Sequence, residues 1–378
     1  MNYDFSENEL ALFADVWEKI TGLAAAGELE KRDPPVNAQN LRKVLEILAH
    51  TPYLHLGIGH DAGFSGHLTL MGAMEVLAAA SPSVYLSVEA STRIFGRAVS
   101  QWGSSGQKQQ WLTPLLNGKM IGALAISEAS LNIENAPLTT HGERQGDAVI
   151  INGAKQYVIN APIADWIAVA GVLEGEHALF LIEKSASGLI IGPALQTPGY
   201  EGAPISGLTI ENTRIPAAQV LLAKDRADMP AAIRMWENQI LLGASLGLSK
   251  TAFEEARDYA KSHQSGGKPI IAYQEVGFKL AEMLTLFQTS QLLAYRTAWT
   301  IETAPREAAE LMLCAKVFCA ESAEQICSAA MQILGGSGYI SGNRVERAFR
   351  CAKYAQIAGT STEIARVQIG DAALGYRN

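Results

Sequence analysis

Gly122-Ala123-Leu124-Ala125-Ile126-Ser127-Glu128 opens the part of this chain that decides its architecture, and Val149-Ile150-Ile151-Asn152-Gly153-Ala154-Lys155-Gln156-Tyr157-Val158-Ile159-Asn160 continues it. Both stretches hold short apolar, largely β-prone runs, and they begin a series. Residues 120–126, 148–151, 156–159, 166–172, 178–182, 189–191 and 208–210 all read as strands. Asn152-Gly153, Glu174-Gly175 and Ser187-Gly188 punctuate the series with turn chemistry. Seven short strands with no helical pattern between them predict an antiparallel barrel or sandwich and argue against strand–helix–strand units.

Outward from this region the pattern becomes helical on both sides. Residues 1–119 read as helices, with Ser81-Pro82 starting one whose apolar positions Val84, Val88, Ile94, Phe95 and Val99 recur at helical spacing. A further helix over 107–116 closes at Asn117-Gly118. Helical sequence resumes at Met229-Pro230. Ile240, Leu241, Ala244, Gly247, Leu248 and Thr251 form one stripe, and Leu280, Met283, Leu284, Phe287 and Leu292 another. A third helix runs from Pro305 towards Leu334 and a last from Thr362 towards Ala373. The chain is therefore read as α+β in three parts: an N-terminal helical domain over 1–119, a middle β domain, barrel or sandwich, over 120–226 and a C-terminal helical bundle over 227–378.

Composition supports large folded domains. Of 378 residues 48% are hydrophobic and 18% charged, which supplies a core. The charged share lies below the roughly 25% usual for soluble domains, so some apolar surface is expected to meet other subunits. A net charge of −8 gives no attraction to nucleic acid or anionic lipid, and neither is expected as a partner. Cys314, Cys319, Cys327 and Cys351 form no CxxC pair and read as buried thiols of a reducing compartment. Residues 1–10 carry Asp4, Glu7 and Glu9 with no apolar run, unlike a signal peptide, and nothing reaches the roughly 18 apolar residues that span a bilayer. A cytoplasmic location is expected.

Several generic motifs fail. Gly57-Ile58-Gly59-His60-Asp61-Ala62 matches a degenerate dinucleotide fingerprint but lacks a following βαβ unit, so it reads as a turn. His50, His55, His60 and His67 are spaced by five and seven, which does not gather imidazoles on one helical face, and no metal is expected. No P-loop or GxSxG element is present.

The two opening stretches, with Asn212-Thr213-Arg214-Ile215-Pro216, Met331-Gln332-Ile333-Leu334-Gly335-Gly336-Ser337-Gly338-Tyr339, Val345-Glu346-Arg347 and Arg350, and the block from Gln356-Ile357-Ala358-Gly359 to Arg366, resemble the acyl-CoA dehydrogenase family in order and over nearly the whole chain. The resemblance implies an N-terminal helical domain, a middle β-barrel, a C-terminal four-helix bundle and FAD at a domain and subunit junction. It implies removal of a proton α to a thioester and passage of the β-hydrogen as hydride to flavin N5, with an electron-transfer flavoprotein as acceptor. The assembly it implies is a homotetramer or dimer, with a hetero-oligomer as the alternative.

The same resemblance supplies site residues and departures. Many members carry the base two residues after the Gln-Ile pair, but here that position is Gly359; an isovaleryl-CoA dehydrogenase-like placement transfers the role to Glu237. Glu237 stands three residues before Ile240 and four after Ile233, on the apolar stripe of its helix, where a carboxylate is uncommon without a role. The bland alternative is an early-helix glutamate held by the helix dipole or a salt bridge. Cofactor-facing positions fall on Leu124, Ile126, Ser127, Tyr157, Ile159, His263, Gln274, Gln332, Gly335, Gly336, Ser361 and Glu363. Ile159 replaces a hydroxyl residue and His263 an arginine. Loss of that charge-assisted bond removes about 1.5–3 kcal/mol, so weakened FAD binding is expected. Ala129 to Asn135 replaces the usual Pro- and Gly-rich segment, and Asn238 stands where arginine is common. Both favour an acyl carrier protein thioester beside acyl-CoA as substrate. A flavin monooxygenase and a non-catalytic subunit of a heteromeric dehydrogenase are the alternatives to a dehydrogenase.

Overall fold

Pro82 at the first turn of one helix and Pro230 at the first turn of another mark where the two halves that flank the cavity begin. The structure is a computed structural model and describes residues 4–25, 36–58, 66–129, 137–223 and 228–376. The N-terminal part comprises α1 (Glu7–Ala25), α2 (Ala38–Ala49), α3 (His67–Ala80), α4 (Pro82–Glu89) and α5 (Arg97–Trp102), with the π-helical stretch Ala90–Gly96 joining α4 to α5. Two short helices, α6 (Ser105–Gln107) and α7 (Thr113–Leu116), follow, the first opened by a Ser104–Gln107 capping box. Almost every residue of α3 and all of α4 are buried, because α3 lies between α1 and the long helix of the C-terminal part.

The middle part is one sheet of β1 (Gly122–Ala125), β2 (His141–Gln145), β3 (Ala148–Ile159), β4 (Trp166–Leu173), β5 (Glu176–Glu183), β6 (Leu189–Ile191), β7 (Ile205–Pro216) and β8 (Val220–Leu222). Its order is β6-β7-β3-β2-β4-β5-β8, with β1 added on β4. Two features correct the sequence reading. The path ends at β6 and β8 without closing among the described residues, so the expected barrel is here an open sheet. It is mostly antiparallel, but β4 pairs in parallel with both β1 and β2. The segments 148–151 and 156–159 are one strand: Asn152-Gly153 is no hairpin but sits at a register shift within β3. A Cβ on Gly153 would stand 2.4 Å from Thr140 Oγ1, so glycine is needed there for close approach of the backbone.

The C-terminal part is built from α8 (Met229–Ser262), α9 (Gln274–Thr303) and α10 (Pro305–Leu334), with α11 (Arg344–Ala352), α12 (Tyr354–Ile357) and α13 (Thr362–Ala373) packed on them. Asp228 caps α8 by accepting from Ala231 N at 3.0 Å. Gly243 and Gly247 let α8 press against α3, since a Cβ there would meet Met74 Cβ at 2.6 Å and Ala78 Cβ at 2.5 Å. Asn160 Nδ2 donates to Ser87 O at 2.7 Å and ties the end of β3 to α4. These contacts fix the three parts around a single space. No disulfide joins the four cysteines, and Cys319, Cys327 and Cys351 are buried. No helix among the described residues is long and apolar enough to cross a membrane. His60 and most of the Gly57–Ala62 motif lie outside the described residues, as does 130–135 of the altered loop; among the described residues no group of three or more His, Cys, Asp or Glu could hold a metal ion.

Candidate active site

Gly122 begins the wall of the site. A Cβ there would meet the Phe95 ring at 2.4 Å, so glycine lets β1 lie directly on the π-helical stretch. π-helical insertions recur at functional sites, and this one presents Ala90 and Ile94, with Leu86 a turn earlier, to a cavity of about 760 Å³. Leu124, Ile126 and Ser127 come from β1 and its exit, and Gln156, Tyr157 and Ile159 from β3. Arg234, Glu237, Ile240 and Leu241 descend from α8, while Tyr354, Gly359, Ser361 and Ile364 close the space from α12 and α13.

The β wall is held by a buried ion pair. Lys155 Nζ donates to Glu128 Oε1 at 2.7 Å and to Ile126 O at 3.1 Å, and Glu128 also accepts from the main chains and hydroxyls of Thr139 and Thr140. A second register shift, between Lys155 and Val158, turns Lys155 inward and leaves Tyr157 outward. Tyr157 holds φ at 57°, a left-handed conformation unusual for an aromatic residue and a recurrent mark of ligand sites. Burial pushes Lys155 down to about 8 against the pull of Glu128. Burial alone would raise Glu128, but the bonds from Lys155, Thr139 and Thr140 outweigh it and bring the carboxyl from 4.5 to about 2. A depressed carboxyl contributes stability above its unfolded value and loses it as the pH falls through its folded value. The thermal midpoint advantage of the wild type over Glu128→Gln is thus expected to shrink between pH 4.5 and about 2. A difference that stays constant across that range would contradict the assignment.

Opposite this wall stands Glu237. Its Oε2 accepts from Arg234 Nη1 at 2.6 Å, and Oε1 has no partner among the described residues. The two side chains are 26% and 16% exposed, so the carboxylate is neither buried nor turned out to bulk solvent. The salt bridge weighed as a bland role is present, but it lies within the cavity lining instead of on the outer face of the helix. Burial, with the charge of Glu237, raises the Tyr354 hydroxyl well above its usual range, so this phenol stays neutral beside the pair. Glu128 is the other carboxylate of the lining, and its oxygens are fully engaged.

Gly359 sits across from Glu237 with φ at 64°. A Cβ there would meet Asn238 Oδ1 at 2.5 Å and Leu241 Cδ1 at 3.0 Å. Asn238 is buried because it serves this loop: Oδ1 accepts from Thr360 N at 3.0 Å and Nδ2 donates to Thr360 Oγ1 at 3.1 Å. Lys316 Nζ donates to Ala358 O and Thr360 O, both at 3.0 Å. The loop is pinned from two sides in a shape that admits no side chain at 359.

Of the residues singled out from sequence, Leu124, Ile126, Ser127, Tyr157, Ile159, Glu237 and Ser361 are brought together here. The others do not line this cavity. His263 is exposed and stacked on Tyr259 at 4.6 Å, beside a hairpin of Gln264–Ser265 with Lys268–Pro269. Gln274 starts α9, Gly335 and Gly336 follow α10, and Glu363 lies in the first turn of α13, all exposed. Gln332 lines a separate groove of about 850 Å³ with Glu321, Glu324 and Phe349. Arg234, Tyr354 and the 195–197 loop were not found from sequence. An Arg-x-x-Glu spacing is too common on solvated helices to signal a site.

The three parts match the descriptions "Acyl-CoA dehydrogenase, N-terminal domain" over residues 5–119, "middle domain" over 123–213 and "C-terminal domain" over 235–374. The chain belongs to the acyl-CoA dehydrogenase family. That makes it an acyl-CoA dehydrogenase-like flavin oxidoreductase. Among relatives, it is 26% identical to the 3-(aryl)acrylate reductase of Clostridium sporogenes over 374 residues, covering 97% of this chain and 94% of that one. The butyryl-CoA dehydrogenase of Megasphaera elsdenii superposes with a TM-score of 0.90 at 22% identity, over 99% of this chain and 100% of that one. The prolyl acyl carrier protein oxidase AnaB does so with a TM-score of 0.88 at 24% identity, over 98% and 100%. Within this acyl-CoA dehydrogenase-like frame, the cavity between the sheet, α8 and α12–α13 is the candidate active site.

Proposed function

We propose that the protein dehydrogenates an acyl thioester between its α and β carbons with FAD as cofactor and Glu237 as the α-proton base. The observation that carries this reading is a carboxylate in the cavity lining, Glu237, whose Oε2 is held by Arg234 while Oε1 has no partner among the described residues.

The residues present fit FAD. Thr197 Oγ1 is buried on the cavity wall with no partner among the described residues, Ser127 and Tyr157 line the same cavity, and Ser361 caps the N-terminus of α13, whose N–H groups suit phosphate. Ser127, Tyr157, Thr197 and Ser361 would hold the ring end and its linker. His263, Gln274, Gln332, Gly335 and Gly336 are assigned to the remote end of a cofactor at a subunit junction. Exposed Phe278, Leu292, Tyr339 and Ile340 support such an assembly. Bound there, FAD supplies the acceptor for the β-hydrogen and its electron pair.

The chain's own part is positional. Leu86, Ala90, Ile94, Ile240 and Leu241 line the space that the acyl group would fill and keep water from it. Arg234 fixes Glu237 Oε2 and so presents Oε1 to the α-proton. Acyl carrier protein thioesters are placed beside acyl-CoA as substrates, a reading that the likeness to AnaB supports. An electron-transfer flavoprotein is the proposed oxidant of the reduced protein.

Anaerobic titration of the FAD-loaded protein with a series of acyl-CoA and acyl carrier protein thioesters tests the reading. Bleaching of the flavin with formation of the 2-enoyl thioester is the expected outcome. A flavin that stays oxidised with every thioester but turns over oxygen with a reductase and NAD(P)H would move the protein to the monooxygenase class. Co-purification of an inert protein with a second related chain would make it a supporting subunit.

A further inference from the structure

The α8 residues of the cavity are ordered along the helix: Arg234, then Glu237, then Ile240 and Leu241. Ile240 and Leu241 share the lining with Leu86, Ala90 and Ile94, an apolar set that suits the acyl tail. With the reacting carbon at Glu237, the carrier side of the thioester must lie towards Arg234, three residues or about 4.5 Å back along the helix axis. Carriers of both kinds present the same arm there, whose first amide carbonyl is separated from the sulfur by two methylene groups and a nitrogen.

Arg234 is under-satisfied for so enclosed a cation. Nη1 donates to Glu237, Nε is buried without an acceptor, and Nη2 has no partner among the described residues. A guanidinium carries five donors in a fixed fork; Nε is the buried one, while Nη2, which is not among the buried unpartnered atoms, is the donor left open to a ligand. Asn238, one helical turn further on, is committed to Thr360 and does not line the cavity, whereas Arg234 does.

We propose that Arg234 is a specificity-determining residue for the thioester carrier: while Nη1 keeps Glu237 in place, the free Nη2 donates to the first amide carbonyl of the pantetheine arm. The inference rests on the dehydrogenase reading above. It assigns recognition of the arm to a neutral acceptor close to the sulfur, so acyl-CoA and acyl carrier protein thioesters share the contact, and small amide-bearing thioesters mimic both.

The test uses two ligands that are already dehydrogenated and so do not turn over: S-(but-2-enoyl)-N-acetylcysteamine, which keeps the amide, and S-propyl but-2-enethioate, which lacks it. Dissociation constants are read from the visible spectrum of bound FAD in the wild type, Arg234→Met and Arg234→Gln. The wild type is expected to prefer the amide-bearing ligand by about tenfold or more, as a charge-assisted hydrogen bond gives. Arg234→Met, or Arg234→Gln should the first variant not fold, is expected to bring the two ligands within about twofold, chiefly by weakening the amide-bearing one. Glu237→Gln keeps the preference, because a glutamine oxygen still accepts from Nη1. Equal affinity for both ligands in the wild type, an unchanged preference in the Arg234 variants, or an equal loss for both ligands would each overturn the proposal and leave the dehydrogenase reading standing. Failure of the wild type to bind either ligand would overturn both.

Discussion

Glu237→Gln is expected to slow flavin bleaching by an acyl thioester by roughly 10²- to 10⁴-fold, the range general-base removal produces, while FAD and ligand stay bound. The amide is nearly isosteric and still accepts from Arg234 Nη1, so the cavity keeps its shape. It loses only the ability to take a proton at Oε1. Among the described residues of the lining no other group replaces that function: Glu128 is bound to Lys155, Thr139 and Thr140, position 359 carries no side chain, and Tyr354 is held protonated. Rapid-mixing measurements separate the bleaching rate from the ligand dissociation constant. A rate within about tenfold of wild type would remove Glu237 from the chemistry, since base catalysis is worth more than that.

Lys155→Met carries the largest expected cost to the fold. Lys155 and Glu128 are 1% and 6% exposed, and removing the cation strands a buried carboxylate. Breaking one side of such a pair costs about 3–5 kcal/mol, equivalent to a fall of more than about 10 °C in the unfolding midpoint of a domain this size. The released Ile126 carbonyl belongs to the cavity wall, so FAD retention is expected to fall with it. The double variant Lys155→Met with Glu128→Gln removes both charges and is expected to recover part of the loss. A single variant within about 1 kcal/mol of wild type would show that the pair is not the tie described here.

Where periodicity and punctuation agreed, the fold was legible before the structure. Pro230, Pro305 and Thr362 mark the starts of α8, α10 and α13, and Gly335 follows the end of α10. The β-rich middle was recognisable, but its boundaries were not. His141–Gln145 gives no alternating signal because the residue that faces inward is Gly142, packed so closely on Phe180 that a Cβ would stand 2.8 Å from its ring. Asn152-Gly153 imitates a hairpin yet serves a bulge, a distinction set by Thr140 on the neighbouring segment. Both errors have one cause: the residue choice answers a contact distant in sequence.

The site divides the same way. Residues of β1, β3 and α8 could be placed from local runs and family likeness, and they meet in one cavity. Arg234, Tyr354 and Thr197 owe their significance to what surrounds them, and none stands in a motif. His263, Gln274, Gly335 and Gly336 are exposed and do not line this cavity, so a single chain gathers them into no common site with the residues above.

The Asn238–Thr360 bonds have a historical consequence. A descendant of this protein cannot simply acquire an acid at 359, as a lone Gly359→Glu change would drive a new branch into Asn238. At least two coordinated replacements are needed, and the chain that holds just one of them inherits a disturbed loop with no catalytic benefit. The glycine and the asparagine are thus matched, and neither can change to suit a bulkier loop without the other.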